Sequence, residues 1–199
     1  MTLANKLTVM RIVLLPVFAA AIALANEGIG FVLAALVIFI CIGASDYLDG
    51  YFARKRNEKT RLGSVLDPVA DKLTMATATI LLGTNLWPEF SRLMPVTVIA
   101  VVGRDLILVV ATVIIARFRK AGISATPSNI GKLSTTFQMS LIPFVLLFQF
   151  LREVIPGNLG GLHTTLLVMQ WWVIAWTVIS LADYSRRAAI MLRTPAVQD

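Results

Sequence analysis

Six stretches of roughly 20 apolar residues follow one another along this chain, each near the length a helix needs to cross a bilayer. They cover about 8–25, 30–49, 66–86, 94–116, 132–151 and 165–184. Composition agrees with that pattern: 57% of the 199 residues are hydrophobic and the mean hydropathy is +0.80, too apolar for an ordinary soluble domain. The expected fold is therefore all-α, a polytopic membrane protein with six transmembrane helices forming a single domain over 1–199. Turn-forming residues fall between the stretches, at Asn26-Glu27-Gly28, Trp87-Pro88 and from Pro156-Gly157-Asn158 to Gly160-Gly161. Pro16, Pro95 and Pro143 lie inside or at the ends of spans, where membrane helices tolerate them.

The net charge of +7 would suggest nucleic acid in a soluble protein. Here the bases flank apolar segments, where they set topology and attract anionic membrane lipids; no nucleic-acid partner is expected. Lys6, Arg11, Arg54, Lys55, Arg56, Lys59, Arg61, Arg117, Arg119, Lys120, Lys132, Arg186, Arg187 and Arg193 all fall on one side of a six-span layout, against Arg92 and Arg152 on the other. The positive-inside rule makes the first side cytoplasmic, with both termini there, in the cell membrane. Lys6 and Arg11 followed by an apolar run ending Ala23-Leu24-Ala25 also mimic a cleavable signal peptide, the competing reading of the first span. The single cysteine, Cys41, rules out a disulfide within the chain and reads as a small buried residue.

Four carboxylates stand between two apolar runs: Asp46 and Asp49 at the end of the second, Asp67 and Asp71 at the start of the third. Ionisable groups beside membrane-length segments are costly to bury and usually functional. Asp46, Asp49, Gly50 and Ala53 are spaced i, i+3, i+4, i+7, and Gly63, Asp67 and Asp71 i, i+4, i+8, each set on one helix face. If the two helices pack antiparallel, all four carboxylates share one space, and like charges so close require protons or cations. Hard oxygens without Cys or His nearby suit Mg²⁺ or Mn²⁺, and two divalent ions would cancel the four charges. Two-metal sites of this kind run displacements at phosphorus. A polar interhelical network, or ion pairs with the neighbouring bases, is the alternative.

These residues carry a resemblance. The run from Asp46 to Asp71 fits D-x2-D-G-x2-A-R-x8-G-x3-D-x3-D, the signature of the CDP-alcohol phosphatidyltransferase family, with Asp46, Asp49, Gly50, Ala53, Arg54, Gly63, Asp67 and Asp71 filling every fixed position. Similarity extends from Asn5-Lys-Leu-Thr8-Val-Met-Arg11 to Gly131-Lys132-Leu-Ser-Thr-Thr136-Phe-Gln138, so it covers most of the chain and implies that the first span is retained. The resemblance implies a CDP-linked lipid donor, CDP-diacylglycerol, an alcohol acceptor that attacks phosphorus, and CMP as leaving group. It implies Asp46, Asp49 and Asp67 as metal ligands, and Asp71 as a further ligand and the general base. Gly50, Ala53 and Gly63 then leave room for the donor, and Arg54 clamps its diphosphate. Asn5 and Thr8 add a polar edge beside them. Close helix packing is the alternative for the small residues, and topological anchoring the alternative for Arg54. Family members are often homodimers.

Arg104 and Asp105 sit in mid-run over 96–116, and Lys132 opens the fifth span. Arg104 and Lys132 are the candidates for an anionic group on the acceptor, with an internal ion pair the alternative for Arg104. Gly131-Lys132 with Thr135, Thr136 and Gln138 resembles the family branch that uses glycerol 3-phosphate, the expected acceptor. Gly103-Arg104-Asp105 departs towards the branch that uses phosphatidylglycerol. A divalent-cation transporter is the reading from another class, set against carboxylates that lie near span ends rather than the midplane where transport sites sit. A catalytically silent scaffold is a third. His163 is expected in an outer glycine-rich loop, and Trp87, Trp171 and Trp172 as interface anchors or lipid-facing bulk.

Overall fold

The computed structural model describes residues 3–56, 63–84, 86–118, 128–155, 157 and 160–193; over 3–8, 46–56, 63–68, 112–118 and 188–193 it describes the backbone alone. Six helices account for nearly all of it: α1 (Leu3–Ala23), α2 (Ile29–Arg56), α3 (Gly63–Gly83), α4 (Pro95–Phe118), α5 (Asn129–Val154) and α6 (Gly160–Arg193). Two short 3₁₀ turns, Ala25–Glu27 and Glu89–Ser91, complete the described elements. Pro95 opens α4, where its missing N–H costs nothing. Pro16 and Pro143 are carried inside α1 and α5.

The helices exceed the apolar stretches that announced them. α2 runs on to Arg56 and α6 to Arg193, because hydropathy marks where a helix is greasy and the basic residues beyond it are themselves good helix formers. Among the described residues, Asn129–Val154 and Gly160–Arg187 are long and apolar enough to cross a membrane, and shorter apolar helical stretches cover Val9–Ala23 and Ile29–Ser45.

Packing closes into a ring. Going round it, each helix touches the next in the order α1, α2, α5, α6, α4, α3 and back to α1, and α3 also reaches α5. With short connections between successive helices, the start of α1, end of α2, start of α3, end of α4, start of α5 and end of α6 share one end of the bundle. Contacts fix the opposite end: Asn26 Nδ2 donates to Leu86 O at 3.0 Å, Ser91 Oγ to Gln149 Oε1 at 2.8 Å, and Met94 N to Gln170 Oε1 at 2.7 Å.

The bundle has an apolar core, but its outside is apolar too and several polar side chains lie within it. Ile99 is 72% exposed while Arg104 is 3% exposed. Gln138, Gln170, Thr177 and Ser180 are buried as well. Large apolar residues cover the outside, an arrangement unfavourable in water and matched to a lipid solvent.

Three sequence readings are corrected here. Cys41 is exposed on α2 rather than buried, since an apolar run without strong amphipathicity does not reveal which side faces inward. Trp87 is fully buried, not an interface anchor, because its Nε1 finds Ser91 Oγ at 2.8 Å inside the bundle. His163 lies in the first turn of α6 rather than in a loop, its ring 5.4 Å from that of Phe90. Trp171 and Trp172 do face outward.

Candidate active site

α2 continues unbroken through Asp46, Asp49, Gly50, Ala53 and Arg54, so their spacing is read on a true helix. α3 begins at Gly63, placing Asp67 and Asp71 about one and two turns in. α1 packs along both helices, and its first turns, holding Asn5 and Thr8, belong to the same end. For Asn5, Thr8, Asp46, Asp49, Gly50, Ala53, Arg54, Gly63 and Asp67 the structure describes the backbone alone. Asp71 is described and half-buried. Arg11, one turn beyond Thr8, is buried at the same end of α1.

Beside Asp71 runs a layer of charge that joins four helices. Lys72 Nζ of α3 donates to Asp105 Oδ2 of α4 at 2.7 Å, and Arg104 Nη1 donates to Asp105 Oδ1, also at 2.7 Å. The guanidinium reaches on to α5 and α6: Nη1 to Thr135 Oγ1 at 3.4 Å, Nη2 to the Gly131 carbonyl at 3.3 Å and to Ser180 Oγ at 3.1 Å. One carboxylate thus bridges two cations, and the buried cation is further stabilised by neutral oxygens, the conditions under which charge is tolerated inside a bundle. Arg104 therefore stands in an internal network, while Lys132 is exposed at the start of α5.

The opening of α5 is held firmly. Ser128 caps it, its Oγ accepting from Gly131 N at 2.9 Å. At the same end of the bundle, Arg187 Nε of α6 donates to Asp183 Oδ2 at 3.0 Å. One turn or more further along α5, Gln138 Nε2 donates to Thr177 Oγ1 at 3.0 Å.

The family model for "CDP-alcohol phosphatidyltransferase" matches residues 1–182. The chain belongs to the CDP-alcohol phosphatidyltransferase family. It is 32% identical to a CDP-diacylglycerol–glycerol-3-phosphate 3-phosphatidyltransferase of Aquifex aeolicus over 87% of its own length and 93% of that protein's. A protein of the same name from Bacillus subtilis is 28% identical over 96% of this chain and 97% of its own. One from Escherichia coli K12 is 35% identical over 70% and 74%.

As a phosphatidyltransferase of this family, the chain is an enzyme, and its acidic residues suit the divalent ions the family requires. The four carboxylates of the motif lie at the end of α2 and the start of α3, and hard oxygens are the ligand type that suits small divalent ions. Among the described residues no group of three or more His, Cys, Asp or Glu stands together. Sequence reasoning singled out Arg104, Asp105 and Lys132 but missed Lys72. Lys72 and Asp105 are 33 positions apart, and no local pattern joins them.

Proposed function

We propose that this protein transfers the phosphatidyl group of CDP-diacylglycerol to sn-glycerol 3-phosphate, giving phosphatidylglycerophosphate and CMP. The observation that carries this reading is the shared name of three bacterial relatives, aligned over 70–96% of the chain. The complete acidic motif at one end of the bundle is consistent with it.

The bundle lies in the cell membrane with six spans, both termini and the acidic end facing the cytoplasm. Donor enters with its acyl chains in lipid and its nucleotide at that end. Asp46, Asp49, Asp67 and Asp71 would hold two divalent ions, which when bound neutralise the diphosphate and acidify the acceptor hydroxyl. Arg54 grips the diphosphate with its planar fork, and Gly50, Ala53 and Gly63 leave space for the nucleotide beside Asn5 and Thr8. The 1-hydroxyl oxygen of glycerol 3-phosphate forms a bond to the phosphorus that carries diacylglycerol. The bond from that phosphorus to the bridging oxygen breaks, and CMP leaves with the electron pair. Asp71 takes the hydroxyl proton. Lys132 meets the acceptor's phosphate, with Arg104 adding positive potential from the layer behind it.

The phosphatidylglycerol-using alternative rests on Gly103-Arg104-Asp105. Asp105 has a structural use of its own, as the bridge between Arg104 and Lys72, which lessens its weight as a sign of acceptor choice. Purified protein in nanodiscs, given CDP-diacylglycerol, Mg²⁺ and each acceptor separately, decides the matter by CMP release and the identity of the lipid product. Phosphatidylglycerophosphate is expected from glycerol 3-phosphate. Cardiolipin from phosphatidylglycerol, with nothing from glycerol 3-phosphate, would overturn the acceptor assignment.

A further inference from the structure

Asp105 is half-buried and holds two cations, each at 2.7 Å. Arg104 alone would justify it, because a 3% exposed guanidinium needs a counter-charge. The second bond is not explained that way. Lys72 is 36% exposed at its side chain and has water or lipid headgroups available to it, yet it is drawn across to α4. Lys72 follows Asp71 directly on α3, and neighbouring residues on a helix diverge by about 100°. Met75 and Ala78, at i+4 and i+7 from Asp71, are buried, so Asp71 shares the face of α3 that looks into the ring, turned from the Lys72 side chain held against α4.

We infer that Asp105 and Lys72 are positioning residues: their bridge, anchored behind by Arg104, sets the rotation of α3 at the level of Asp71. The inference rests on the proposed role of Asp71 as a metal ligand and base. It assigns Lys72 and Asp105 the kind of supporting contact that orients a ligating side chain without touching the metal.

The test uses the full chain in nanodiscs and Mn²⁺ as the probe, with free Mn²⁺ read by electron paramagnetic resonance. Lys72→Met removes the bridge and leaves the Arg104–Asp105 pair intact, so no buried charge is stranded. Two effects then oppose each other. Losing a nearby cation tightens Mn²⁺ binding on electrostatic grounds, whereas losing the orientation of Asp71 weakens it, about tenfold or more for contacts of this class. Weaker binding in Lys72→Met, largely restored in Lys72→Arg, is the expected result at unchanged thermal stability. Lys72→Gln gives a second, milder arm. Binding as tight as wild type or tighter, in whichever of the two neutral variants is recovered folded, overturns the inference. The readout needs no acceptor, so a wrong acceptor assignment leaves it standing. A wild type that binds no Mn²⁺ overturns it together with the metal role of Asp71.

Discussion

Gly131 lies against the ring of Tyr184. A Cβ at Gly131 would stand 2.9 Å from Tyr184 Cε2 and 3.1 Å from the Tyr184 hydroxyl, with Ser128 Oγ at 3.3 Å on another side. The absence of a side chain lets the first turn of α5 seat against α6, in the same turn whose carbonyl receives Arg104.

Gly131→Ala should therefore destabilise the protein by about 1–3 kcal/mol through overpacking. Tyr184→Ala should relieve the clash, so the double variant loses less stability than the two single losses added together. Thermal melting of the four proteins in one detergent measures the coupling. Strict additivity would show that the two residues do not meet.

On the proposed mechanism the acidic motif divides by role. Asp71→Asn should abolish turnover at any Mg²⁺ concentration, while CDP-diacylglycerol still binds. Asp46→Asn and Asp67→Asn should instead raise the Mg²⁺ requirement and recover part of their activity as Mg²⁺ is increased. Rates across a Mg²⁺ titration separate the two classes, and identical curves would remove the distinction between base and ligand.

Chelation should silence the wild type, and adding back Mg²⁺ or Mn²⁺ should restore it. CMP release that persists in excess EDTA would end the two-ion mechanism.

The two basic residues should part company. Lys132 is exposed at the start of α5; if it meets the acceptor phosphate as proposed, Lys132→Gln should lower kcat/KM for glycerol 3-phosphate about ten- to hundredfold. Its melting temperature should stay near wild type. Arg104→Gln strips contacts to Asp105, Thr135, Gly131 and Ser180 at once, so it should cost stability as well as activity, on the order of 3–5 kcal/mol for a broken buried pair. Steady-state kinetics and melting, taken together on both variants, check the contrast.

Much of the helical layout was legible because apolar length and turn residues are one-dimensional signals. The prolines fell at helix starts and interiors as expected, and the motif spacing matched continuous helix in α2 and α3. What escaped was direction. α2 is apolar on nearly every side, so nothing in its sequence shows that Cys41 looks outward and Ile42 inward. Trp87 was misread because burial of an indole depends on a partner, here Ser91, whose hydroxyl in turn needs Gln149 from a helix 58 residues away. Lys72 was invisible for the same reason. In a lipid-like solvent the inside of a bundle is marked by polar pairing across helices, and pairing at long range leaves no periodic trace.

Those cross-helix pairs bear on how the protein is made. α6, the last 34 residues of helix, supplies Ser180 to Arg104, Thr177 to Gln138, and Gln170 to both Met94 N and Thr97 Oγ1. Until it leaves the ribosome, α4 and α5 hold donors that bare lipid cannot satisfy. A nascent chain stopped before α6 is thus an incomplete bundle rather than a smaller one. The insertion machinery has to shelter α4 and α5 until the final helix arrives, and a C-terminal truncation that removes α6 should be cleared by membrane proteases rather than accumulate.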